Sequence, residues 1–152
     1  VVDLHMLRTR LMGGRALVDV HLQVDGDISV SEGHQISENV RARTIKKFES
    51  VDEVLVHIDP EDDETHRVNI DLPLRSDMTA QINAAIEGIE GATPAEKIVL
   101  HYLEGSINID LIFPVLPDVS AEQRRDMAKK IIETLEKDPK TGTIEIYFHY
   151  MH

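Results

Sequence analysis

Residues 16–25, ALVDVHLQVD, alternate with period two: Ala16, Val18, Val20, Leu22 and Val24 share one side, and Asp19, His21, Gln23 and Asp25 share the other. That period belongs to a strand with one packed face and one wet face. VVDLHMLRTRL at 1–11 reads as a preceding strand, joined to it by a turn at Gly13-Gly14. The period then lengthens. Ile36, Val40, Thr44 and Phe48 recur at helical spacing and form an inner stripe. Ser29 with Glu32 three residues later is a capping-box start for that helix. VDEVLVHID at 51–59 is a third strand, with Val54, Val56 and Ile58 turned to the helix and Leu55, His57 and Asp59 turned away. Pro60 and the acidic run that follows it form a linker.

A similar order of elements then returns. A strand is expected over 68–74 (VNIDLPL), a helix over 76–91 ending at Gly91, and a hairpin of KIVLHYL and SINIDLIFPV around Glu104-Gly105. Ser120 with Gln123 caps a further helix that carries Met127, Ile131 and Leu135 inward, and TIEIYFHYMH is the last strand. Residues 18–40 align without a gap on 109–131, matching Asp19 with Asp110 and Ser29 with Ser120, and DLHML at 3–7 resembles VLHYL at 99–103. This is the mark of a duplicated α+β unit. The expected domains are 1–63, a first copy without a leading helix, and 64–152, a second copy that has one. Each copy is expected to be a ferredoxin-like sandwich, with helices on one face of an antiparallel sheet and the polar face left for solvent or a partner. The missing helix, and a chain that begins at Val1, lead us to expect a piece of a longer protein.

Composition narrows the chemistry. Aromatic residues are 4% of the chain and tryptophan is absent, so the core is expected to be aliphatic. A net charge of −12 argues against nucleic acid or an anionic membrane as a partner. With no cysteine, a metal site is limited to nitrogen and oxygen ligands. No apolar run approaches the ~20 residues that span a bilayer. Phosphate loops, H-E-x-x-H and G-x-S-x-G elbows are absent too, and nothing in the sequence points to an enzyme.

The histidines are the remaining signal. His5, His21, His34 and His57 lie in residues 1–59, and His57 shares a strand face with Asp59. Imidazole and carboxylate are the expected ligands of zinc and similar ions. A polar residue on a wet strand face needs no function, so His-x-Asp is weak by itself. Four histidines and one aspartate on neighbouring elements carry more weight.

HMLRTRLMGGRALVDVHLQVDGDISVSEGH at 5–34, followed by VLVHIDP at 54–60, resembles the cytoplasmic C-terminal domain of cation diffusion facilitator transporters. The resemblance rests on His5 before Leu7-Arg8-Thr9-Arg10, the turn at Gly14, the V-D-x-H at His21, the helix start from Ser29 to His34, and His57 to Pro60. It implies a metallochaperone-like α+β fold and a homodimer on the cytoplasmic side of the cell membrane. It also implies a transmembrane domain elsewhere in the same full-length chain, and an exporter of divalent metal working by proton exchange. The matching ligand positions are His5, His21, His34, His57 and Asp59, all with ligand-type side chains, which implies a binuclear site with Asp59 as the bridge. Zinc is the first expectation, with iron, manganese or cobalt as alternatives. A scaffold without metal and a free-standing metal-binding protein are the rival readings. Two departures stand out. Gly33 replaces the family's alanine, and the second copy has Ile112 and Arg125 where the first has His21 and His34, keeping only His101 and a shifted His149.

Overall fold

The alternation at 16–25 becomes the central strand of a three-stranded sheet. In a computed structural model that describes residues 1–62, 71–89 and 91–150, the chain divides into two units, Val1–Arg67 and Val68–His152. The first contains β1 (Asp3–Met12), β2 (Arg15–Gln23), α1 (Val30–Lys47) and β3 (Val51–Asp59), with sheet order β1-β2-β3. The second contains α2 (Arg75–Glu87), β4 (Lys97–Leu103), β5 (Ser106–Pro114), α3 (Ala121–Leu135) and β6 (Thr141–His149), with order β4-β5-β6. Each unit is an α+β sandwich, and the fold is present as two tandem copies.

The sheets correct one expectation: they are mixed rather than wholly antiparallel. Within each hairpin the strands are antiparallel. The turns hold positive φ at Gly13 (61°) and Gly14 (82°), and at Glu104 (52°) and Gly105 (76°), the mirror-image turn whose twist matches that of the strands. The third strand of each sheet runs parallel to the central one. A helix lies between those two strands and carries the chain back to its starting end, which makes the pair parallel.

Capping chemistry fixes where the helices start. Ser29 Oγ accepts the Glu32 N–H, and the Glu32 carboxylate accepts the Ser29 N–H at 2.9 Å. The hydrogen bond from the Ser29 backbone, followed by that from its hydroxyl, holds the Glu32 carboxyl below its ordinary value. Ser120 and Gln123 form the same box at α3. Val18, Val20 and Leu22 then pack under α1 with Ile36, Val40, Ile45, Val56 and Ile58. Phe48 does not join this stripe, because α1 ends at Lys47. Phe48 is its extended C-cap, half exposed, and Ile45 takes the inner place.

The two cores are covered unequally. Ile107, Ile109, Leu111 and Phe113 of β5 are fully buried among residues of both α2 and α3. In β2, under a single helix, Val18 and Val20 keep 8% and 5% exposure. Ile98 and Tyr102 of β4 pack into the second core, whereas Leu7 and Leu11, at the same distances from the turn in β1, are 61% and 82% exposed. Of the strand expected over 68–74, residues 68–70 lie outside the described residues, and 71–74 are turn and coil running into α2.

Gly33 is buried in the first turns of α1, and a Cβ there would meet Ile58 Cγ2 at 3.4 Å and Ile28 Cδ1 at 3.9 Å, close to ordinary contact. Glycine in a helix is roughly 0.5–1 kcal/mol less favourable than alanine. Gly33→Ala is therefore expected to stabilise the chain by about that amount in urea denaturation. A loss of stability would mean that Ile58 cannot yield to the added methyl.

Candidate metal centre

On the face of the first sheet away from α1, one carboxylate faces three imidazoles. Asp59 Oδ2 lies 3.1 Å from His5 Nε2 and 3.0 Å from His21 Nδ1, and Asp59 Oδ1 lies 2.5 Å from His57 Nδ1. The His5 and His21 rings are 5.7 Å apart between centroids, and His21 and His57 are 4.6 Å apart. Asp59 is 3% exposed, and among the described residues it is the one buried charged residue.

Register brings these groups together. In the parallel β2–β3 pair His21 stands beside His57, and Gln23 beside Asp59. The backbone fastens the end of β3, since the Val24 N–H donates to the Asp59 carbonyl at 2.9 Å. On the other side, Met6 pairs with His21 and Leu4 with Leu22, so the ladder of β1 is irregular at His5. An extra residue in one strand re-aims side chains, and here His5 reaches Asp59. In the alternation alone Met6, not His5, has the parity that faces His21. No residue type at 4–6 announces the bulge.

The chemistry fits a divalent ion. One donor atom each from His5, His21 and Asp59 falls within 4.8 Å of the others. Ligands at about 2.0–2.2 Å from a shared ion lie up to about 4.4 Å apart, so the set needs little adjustment. Two imidazoles and a carboxylate suit zinc and other first-row ions. A buried carboxylate is costly without a positive or donating partner. Imidazole N–H groups answer that need in the protein alone, and an ion with these ligands would answer it as well.

The five residues expected as ligands fall into three places. His5, His21 and Asp59 form the compact set. His57 touches the other oxygen of Asp59, with its side chain 59% exposed. His34 is exposed on α1, in the helical layer, and the structure does not bring it into this cluster within one chain.

The second unit corrects the alignment of its histidines. The hairpin turns and strand registers place His101 level with Arg10, not with His5. His101 lies 3.5 Å from Asp110 as Arg10 lies 2.9 Å from Asp19. In the parallel pair, Ile112 and Tyr147 stand beside each other as His21 and His57 do, and Pro114 and His149 as Gln23 and Asp59 do. His149 thus takes the place of Asp59 rather than of His57. Short alternating strings match one another at several offsets, and the turn and register fix the right one.

Comparison with known families matches residues 1–61 to the cation efflux protein, cytoplasmic domain. The cation-efflux pump FieF of Shewanella oneidensis is 40% identical over 60 residues, which is 40% of this chain and 20% of that protein. The manganese efflux system protein MneP of Bacillus subtilis is 37% identical over 54 residues, 36% of this chain and 18% of that protein. Metal tolerance protein C1 of Arabidopsis thaliana is 43% identical over 56 residues, 37% of this chain and 12% of that protein. These matches therefore span a fifth or less of the length of each of these three relatives. No helix among the described residues is long and apolar enough to cross a membrane. Over residues 1–61, about two fifths of the chain, the similarity is thus to the cytoplasmic domain of cation efflux proteins, the family that the sequence motifs resemble.

Proposed function

We propose that this chain is the cytoplasmic metal-sensing and dimerisation part of a divalent-cation exporter, a metal/proton antiporter whose transmembrane domain belongs to the same full-length protein. The observation that carries this reading is the buried Asp59 carboxylate faced by imidazoles from three adjacent strands. The family match over residues 1–61 and the relatives named as efflux proteins support it.

His5 Nε2, His21 Nδ1 and Asp59 Oδ2 would hold the ion, zinc first, and His57 beside Asp59 Oδ1 would hold a second one if the site is binuclear. A bound ion supplies positive charge at a point where β1, β2 and β3 meet. Asp59 and the histidines then tie three strand ends into one rigid corner, and His34, exposed on α1, is open to a second copy. A ligand that prefers one arrangement of two copies shifts the population toward it, and the membrane part would read that shift. The second copy is structural.

Zinc titration by calorimetry is expected to give saturable micromolar or tighter binding that Asp59→Ala abolishes. His21→Ala should weaken it more than His57→Ala, because the His21 side chain is 24% exposed and the His57 side chain 59%. Absence of binding to the unmutated chain would refute sensing and leave the family assignment intact.

Sedimentation separates sensor from scaffold. The dimer fraction is expected to rise with zinc and fall with chelator, and to ignore zinc in Asp59→Ala. A dimer of equal stability in chelator and in zinc would favour the scaffold reading.

A further inference from the structure

The second unit also has a carboxylate and an imidazole at this corner of its sheet, with their strands exchanged. His149 Nε2 on β6 lies 2.5 Å from Glu96 Oε2, just before β4. Lys97 pairs with Ile112 as Met6 pairs with His21, so Glu96, one residue earlier, takes the place of His5. Its N–H donates to the Ile112 carbonyl at 2.8 Å, which fixes it there. Where the first unit has His5 on its first strand and Asp59 on its third, the second has Glu96 and His149.

The other donors of the corner are gone or engaged. Ile112 stands where His21 does, and the Tyr147 hydroxyl, in the place of His57, donates to the Glu145 carboxylate. The pair is also shallow, with side chains 41% and 53% exposed against 5% for Asp59. Two donors near the surface form a weaker cage than a buried carboxylate among imidazoles. They do neutralise one another when the imidazole is protonated, as a partly exposed ion pair of modest strength.

We infer that the second unit closes this corner with its own Glu96–His149 pair and takes no divalent ion there, so that any response to metal is confined to the first unit. That confinement to the first unit rests on the sensing function proposed above. The exchange of residues in the second unit stands apart from it.

Hydrogen exchange of the whole chain, with zinc and with chelator, tests the inference directly. Zinc should slow exchange at Leu4–Met6 and Ile58–Asp59 and leave residues 97–99 and 147–149 unchanged. Slower exchange in that second set would overturn the inference. If zinc protects neither set, sensing by the first unit fails while the second unit still behaves as inferred. A gain of function gives an independent reading. The triple variant Glu96→His, Ile112→His, His149→Asp should bind a further zinc ion per chain in calorimetry, relative to the unmutated chain. A triple variant with native circular dichroism and no added ion would overturn the positional correspondence. Should the variant fail to fold, exchange of the unmutated chain alone decides.

Discussion

A single buried carboxylate organises the first unit. Asp59 sits at the last position of β3, 3% exposed, on the sheet face that α1 leaves open. Removing an ionised carboxylate from water costs several kcal/mol unless charge or hydrogen bonds replace the water. Among the described residues, the side chains that take the water's place are imidazoles, contributed by β1, β2 and β3 itself. An imidazole can donate a proton to the carboxylate or a lone pair to a metal. The same side chains therefore satisfy the carboxylate in the protein alone and could hold a divalent ion.

The fold sets up that convergence through its connections. The α1 crossover makes β3 parallel to β2, and the resulting register stands His21 beside His57 and leaves Asp59 one step further along the open face. The bulge in β1 completes the set by bringing His5 across. The second unit repeats hairpin, capped helix and parallel strand, and its core is better covered because α2 supplies a second helix. The shared scaffold thus supports two different corners: a buried carboxylate among imidazoles in one, and a shallow Glu96–His149 pair in the other.

Elements decided by local chemistry were legible in the sequence. The Ser29–Glu32 and Ser120–Gln123 boxes, the Gly13-Gly14 turn and the alternating strand at 16–25 each depend on residues a few positions apart. His21, His57 and Asp59 could be assigned to one sheet face by parity alone. Features that depend on distant parts of the chain were not legible. Strand direction follows from the crossover, and the aim of His5 from a bulge that no residue announces. The end of α1 before Phe48 and the coil at 71–74 show packing and connection overriding a periodic pattern. The family resemblance supplied His34 as a ligand position, and a single chain gives it no partner in the cluster.

The most direct measurement is anomalous scattering at the zinc edge from crystals of this chain grown with zinc. A peak is expected within ligand distance of His5 Nε2, His21 Nδ1 and Asp59 Oδ2. Crystals in which those three side chains keep their mutual hydrogen bonds and carry no anomalous peak, at zinc concentrations that saturate the protein in solution, would contradict it.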